Sequence, residues 1–313
     1  MNIVFFGSSG FAVPSLRALN EGGYNISCVI TQTDKKKGRG LHLEPTPVKL
    51  AANELGLNIH QPVDINASEE IKSLKSLNPE LFVVVSYGQI LSRDILAIPK
   101  ELSVNAHASI LPKYRGAAPI SWAIIRGEKT TGVSIIKMTE KMDAGPIIMQ
   151  ETIEMNPDDS VIKLEDKLSQ LASQLLLKSV RLIAVDKHTL IEQDKEKVTF
   201  APKLKKEDGL INWMAGSEDI YNLVRGCAGW PGAFTYYKGK LLKIHKAIPI
   251  KLKESGKSRD EGRVVELLKS GIIVGCSRGY LTIQQLQLEG KKIMAAQDFI
   301  TGHKICVGDI LGK

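Results

Sequence analysis

A chain of 313 residues is longer than a single hydrophobic core usually serves, and 43% hydrophobic with 24% charged residues leaves no room for extended disorder. The formal net charge of +8 is unevenly placed: residues 1–200 hold 23 Lys and Arg against 23 Asp and Glu, whereas residues 201–313 hold 19 against 11. A neutral body carrying a basic last third suits a polyanionic partner, because clustered cations displace counterions from phosphates, although a solvated lysine-rich surface would have the same composition.

The chain enters a strand-like run at once, Met1 to Gly7, with no basic leader, so a cytoplasmic protein is expected. Runs and amphipathic stretches then alternate: Ile3–Phe6, Val13–Asn20, Ile26–Thr31, Pro47–Leu55 and Leu81–Ser86. This rhythm predicts an α/β fold, a Rossmann-like doubly wound, mostly parallel sheet. The apolar runs are strand-sized, far short of the roughly 20 residues of a bilayer helix. After the first strand, Gly7-Ser8-Ser9-Gly10 is a weak match to a dinucleotide-binding turn, since its glycine spacing is wrong. That leaves a nicotinamide-dependent oxidoreductase as one alternative.

Between Asp34 and His42 four cations, Lys35, Lys36, Lys37 and Arg39, stand among glycines. Such a run is usually a solvated loop, but it can also enter a nucleic-acid groove. Further on, Ser103-Val104-Asn105-Ala106-His107-Ala108-Ser109 places Asn105, His107 and Ser109 on one face of an extended strand. An amide beside an imidazole that can donate when protonated suits an oxyanion; the plainer reading is a histidine satisfied by structural bonds. Asp143 follows a second alternating strand, Thr131–Met138, in Met142-Asp143-Ala144-Gly145-Pro146. It is either a turn-former or, because loops gather at one edge of such a sheet, a partner for His107.

A helix is predicted over Asp158–Ile183, where Val161, Leu164, Leu168, Leu171, Leu175 and Leu176 recur at helical spacing. The charged stretch from Glu192 to Asp208, with Lys203, Lys205 and Lys206, reads as a basic linker. Then come a short helix, Ser217–Arg225, and five strand-like runs: Ala233–Tyr237, Leu241–Ile248, Gly262–Leu267, Gly271–Cys276 and Tyr280–Leu288. A small C-terminal β-barrel of the oligonucleotide-binding kind is expected. The expected division is 1–190, linker 191–208 and barrel 209–313. Trp213 and Trp230 are expected to anchor packing. Cys28, Cys227, Cys276 and Cys306 form no C-x-x-C pair and the histidines show no ligand spacing, so no metal site is indicated. A noncatalytic RNA-binding protein built on the barrel is a further alternative, though it leaves Asn105, His107 and Asp143 without a purpose.

Asn105-Ala106-His107-Ala108-Ser109-Ile110-Leu111-Pro112, Tyr114-Arg115-Gly116-Ala117-Ala118-Pro119 and Asp143-Ala144-Gly145 resemble the folate-dependent formyltransferases, and within them the branch acting on methionyl-tRNA. Phe11–Pro14, Pro45–Lys49, Tyr87–Leu91 and Trp230–Ala233 extend the likeness over nearly the whole chain; Ser8-Ser9-Gly10 departs from the family's usual residues there. The resemblance implies 10-formyltetrahydrofolate as co-substrate, initiator methionyl-tRNA as acceptor, no metal, and Asn105, His107 and Asp143 as catalytic residues. It implies a folate pocket lined by Ser109, Ile110, Leu111 and Pro112, with Gln89 and Leu91. It further implies tRNA contacts at Arg39, extended here to Lys35, Lys36, Lys37, Lys203, Lys205 and Lys206, and a monomer is expected because one tRNA could span both modules. A formyltransferase acting on a small amine is the nearest rival.

Overall fold

The computed structural model describes residues 1–37, 42–250 and 260–312. Contacts divide the chain into two compact units, one of residues 1–119, 130–154 and 165–202, the other of 120–129, 155–164 and 203–313.

In the first unit the strands are β1 (Asn2–Gly7), β2 (Asn25–Ile30), the short pair β3 (Lys35–Lys37) and β4 (His42–Glu44), β5 (Ile59–His60), β6 (Leu81–Val85), β7 (Leu102–His107), β8 (Thr130–Lys137) and β9 (Ile147–Glu154). Apart from the separate β3-β4 pair they form one sheet in the order β5-β2-β1-β6-β7-β8-β9. The run from β5 to β7 is parallel, while β8 and β9 are antiparallel additions. The doubly wound expectation therefore holds in mixed form. β1 and β6 show why: Ile3, Val4, Phe5 and Phe6 are fully buried, as is most of Leu81–Val85, and only strands covered on both faces need such unbroken apolar runs.

Helices α1 (Val13–Glu21), α2 (Pro47–Glu54), α3 (Ser68–Ser76) and α4 (Arg93–Leu96) belong to this unit, as does α6 (Val161–Ala184) from Glu165 onward, whereas α5 (Pro119–Ile125) falls, after Pro119, in the second unit. The start of α2 is set locally: Thr46 Oγ1 accepts from the Lys49 N–H at 3.1 Å and Pro47 occupies the first turn, where its missing N–H costs nothing. In α6 the predicted stripe is buried at Leu164, Leu168, Leu171, Leu175 and Leu176, while Val161 at its start is half-buried.

The second unit contains α7 (Ser217–Gly226), β10 (Ala233–Tyr237), β11 (Lys240–Ile250), β12 (Val264–Leu268), β13 (Gly271–Gly275), β14 (Tyr280–Leu288), β15 (Met294–Ala295) and α8 (Ala296–His303). The strands form an antiparallel sheet, β10-β11-β14-β13-β12, with β15 on β14, and the five predicted strands correspond to β10 through β14. Their inward residues, Leu242, Ile244, Val264, Ile272, Leu281 and Ile283, pack with Phe299 in one core. Trp213 is buried there and donates its indole N–H to Thr235 Oγ1 at 3.0 Å. Trp230 departs from expectation at 57% exposed, because it stands in a turn between Gly229 and Gly232, both with positive φ. Among the described residues no helix is long and apolar enough to cross a membrane.

Candidate active site

Asn105 and His107 lie two residues apart on β7, so the pleat turns both side chains to one face. Asp143 reaches that face by a route other than the expected one. Because β8 runs antiparallel to β7, with Val104 paired to Lys137 and the Met138 N–H bonded to the Ser103 carbonyl, the turn after β8 starts at the far end of β7 from His107. The turn then folds back along the strand. Asp143 Oδ1 accepts from Asn105 Nδ2 at 3.4 Å, and its Oδ2 lies 3.6 Å from His107 Nδ1. The three side chains are brought together, His107 buried, Asn105 and Asp143 partly accessible.

Two further groups fix this arrangement. The Gly116 N–H donates to Asp143 Oδ2 at 2.8 Å, and the Tyr114 carbonyl lies 2.9 Å from His107 Nε2. A carbonyl only accepts, so Nε2 carries a proton, and the ring nitrogen left for chemistry is Nδ1, facing the carboxylate. Asp143 itself holds a left-handed backbone, φ 51°, a region uncommon for residues with a Cβ but more open to Asp than to most.

Ser109, expected on the same face as Asn105 and His107, is turned away. Its N–H bonds back to the His107 carbonyl at 2.9 Å, ending the strand, and its hydroxyl donates to the Lys113 carbonyl at 2.7 Å. The loop after it hangs on Ser134 of β8: Ser134 Oγ donates to the Ser109 carbonyl at 2.6 Å and accepts from the Leu111 N–H at 3.0 Å, while Gln150 Nε2 reaches both Ser134 Oγ and the Leu111 carbonyl. Leu111 is buried in a small cluster with Ile136 and Ile147, and Leu91 in the larger apolar cluster that includes Phe6 and Tyr87, whereas Ile110 and Pro112 are half-buried. Gln89 accepts from the Ile65 N–H through Oε1 at 3.0 Å. Its loop follows β6, whose Val84 is in register with Asn105, so it lies along the same sheet edge.

At the carboxyl ends of β1, β2 and β6, where the strand order reverses, lies a cavity of about 440 Å³ lined by Ser8, Ser9, Gln32, Lys35, Thr46 and Ser86 among others. Open α/β sheets place ligands at this switch point. Sequence reading weighed Gly7–Gly10 only as a weak dinucleotide turn and missed this wall of hydroxyls, since its members, Ser8 and Ser9, Thr46, and Ser86, come from three separate stretches of chain.

Lys35, Lys203, Lys205 and Lys206 are exposed. The backbones of Lys36 and Lys37 pair with β4, and Arg39 lies outside the described residues. Among the described residues no group of three or more His, Cys, Asp or Glu could hold a metal ion.

Residues 1–180 match the family described as formyl transferase, and residues 203–304 match formyl transferase, C-terminal domain. The chain belongs to the formyl transferase family. Formyl transferases similar to it over their whole length include a methionyl-tRNA formyltransferase of Geotalea uraniireducens, 42% identical over 100% of this chain and 98% of that one. A second, of Halothermothrix orenii, is 45% identical over all of both. Among solved structures, the methionyl-tRNA formyltransferase of Clostridium thermocellum aligns with a TM-score of 0.55 at 20% identity, over 79% of this chain and 93% of that one. The N-formyltransferase of Helicobacter canadensis, solved with folinic acid and dTDP-3-aminofucose, aligns with a TM-score of 0.68 at 19% identity, over 90% and 98%. Both share the fold. Formyl transferase membership leaves neither the oxidoreductase nor the noncatalytic RNA-binding alternative standing.

Proposed function

We propose that the protein transfers the formyl group of 10-formyltetrahydrofolate to the amino group of methionine on initiator methionyl-tRNA, giving N-formylmethionyl-tRNA. The observation that carries this reading is the meeting of Asn105, His107 and Asp143 on one strand face, in a chain whose full-length relatives bear the name methionyl-tRNA formyltransferase.

The acceptor needs no enzyme nucleophile, since an α-amino group titrates near about 8 and is substantially neutral at physiological pH. Its lone pair attacks the formyl carbon, a C–N bond forms, and the carbonyl electron pair moves onto oxygen. Asn105, with one amide hydrogen directed at Asp143, offers the other to that oxyanion. His107 Nδ1 takes the proton released by the attacking nitrogen, and the resulting imidazolium is stabilised by the Asp143 carboxylate beside it. As the intermediate collapses, the bond to N10 of the folate breaks and the proton passes to that nitrogen. Ile110, Pro112 and the loop around Gln89 line the folate side, with Ser109, Leu111 and Leu91 supporting it from within. The hydroxyl-lined cavity by Ser8 and Thr46 offers room for the acceptor's end.

The basic excess after residue 200 reads as a tRNA-binding module, with Lys203, Lys205 and Lys206 at its entrance and Lys35, Lys36, Lys37 and Arg39 as a second set of phosphate contacts. The working form is a cytoplasmic monomer divided as a catalytic part that runs on to residue 202, a short basic stretch that carries Lys203, Lys205 and Lys206, and a tRNA-binding barrel. Formyl acceptance by charged initiator tRNA, a glycinamide nucleotide and an amino-sugar nucleotide, compared at equal concentration, tests the reading. Preference for the tRNA by orders of magnitude is expected, and comparable use of either small amine would overturn it.

A further inference from the structure

The stretch 191–202, the first part of the basic linker expected from the sequence, is grouped with the first unit and threads past the site. Ile191 exchanges both backbone bonds with Ile147, at 2.8 and 2.9 Å, and Thr199 takes the Arg115 N–H on its carbonyl and the Tyr114 N–H on its hydroxyl, each at 2.9 Å. Between them sits Gln193, 7% exposed.

All the polar valences of the Gln193 amide are used. Its Nε2 donates to the carbonyls of Asp143, at 2.8 Å, and Gly145, at 2.7 Å. Its Oε1 accepts from Nε and Nη2 of Arg115, at 3.1 and 2.8 Å. Carbonyls only accept and a guanidinium only donates, so the amide has one possible orientation. One side chain thus ties together the two loops that set the His107–Asp143 geometry: the Asp143–Gly145 turn, held by its backbone, and the Tyr114–Gly116 loop, whose carbonyl takes His107 and whose N–H takes Asp143.

We propose that Gln193 is a positioning residue for formyl transfer, holding the left-handed backbone of Asp143 so that its carboxylate faces Nδ1 of His107. This rests on the reading of Asn105, His107 and Asp143 as the reacting cluster. Displacement by a fraction of an ångström is enough to matter where a proton must move between fixed groups. Two substitutions separate positioning from simple support. Gln193→Met keeps the length and removes all four bonds. Gln193→Glu keeps the link to Arg115, now as an ion pair, but sets carboxylate oxygens against the Asp143 and Gly145 carbonyls.

The test is steady-state kinetics of the full-length enzyme and both variants with 10-formyltetrahydrofolate and methionyl-tRNA, alongside Asp143→Asn and thermal melts. Gln193→Met and Gln193→Glu are both expected to lower kcat by about tenfold or more, with both KM values nearly unchanged. If Gln193→Glu restores kcat, the residue serves only to anchor Arg115 and the proposal fails. It fails equally if Asp143→Asn loses activity while folded Gln193→Met keeps its kcat. Should Asp143→Asn itself stay fully active, the catalytic reading beneath the proposal is what falls. Where Gln193→Met does not fold, Gln193→Glu alone decides.

Discussion

The Gly116 N–H and the Asp143 carboxylate, 27 residues apart in sequence, meet at 2.8 Å, and the oxygen that takes this bond is the one facing His107. Gly116 can do this because it has no side chain: φ is +123°, and a Cβ there would stand 2.6 Å from the Ala201 carbonyl oxygen. Gly116→Ala therefore shifts the backbone and withdraws the N–H from Asp143. A fall in kcat with folate binding retained is the expected outcome, measured by initial rates and by folate titration of the same preparation. Loss of folate binding in step with kcat would show a general collapse of the loop instead.

Removing the amide or the imidazole should cost transition-state stabilisation directly. Asn105→Ala is expected to cost about 3 kcal/mol or more in kcat/KM, on the scale of a lost oxyanion donor, and His107→Ala to lower kcat/KM by about a hundredfold or more, on the scale of a lost general base. Near-normal turnover in both variants would remove the assignment.

For the basic module the expected signature is salt dependence. Lys203, Lys205 and Lys206 are exposed, so reversing all three to Glu disturbs no core. KM for methionyl-tRNA should rise and its dependence on salt concentration should flatten, while KM for the folate stays put. An equal rise in both KM values would place these lysines outside tRNA recognition.

Asp309 gives the second unit a pH-dependent contribution. Its carboxyl is held below the usual Asp range by the Cys306 N–H, with further help from the Tyr237 hydroxyl and Lys238. A depressed folded value means stability that is present above the unfolded value, about 3.9, and lost as pH falls through the folded one. Asp309→Ala should melt below the wild type at pH 7, and the gap should close under acid conditions. A gap of constant width down to the acid limit would contradict the linkage.

The thiols should separate by burial. Desolvation pushes Cys28 up to about 11 and Cys227 and Cys276 to about 12, whereas Cys306 is exposed. Brief alkylation of the folded protein at pH 8 should label Cys306 alone, by peptide mass mapping. Early labelling of Cys227 or Cys276 would mean that the second unit opens readily.

How much of this was readable beforehand follows the range of each interaction. The alternation of Asn105 and His107 on one strand, the continuous apolar runs of β1 and β6, the Thr46-Pro47 helix start and the stripe of α6 are all set within a few residues, where pleat, helix pitch and capping act. Residue type and spacing alone determined them, along with the family likeness. Nothing local predicts that β8 runs antiparallel, that Asp143 consequently folds back along β7, or that the turn at Ser109 leaves the strand face. Gln193 lies in a charged stretch with no periodicity, and its three partners, Arg115, Asp143 and Gly145, come from two other loops. Pairings of that kind are decided by which distant backbone groups would otherwise be buried without a hydrogen bond, a cost that exists only once the chain has closed on itself.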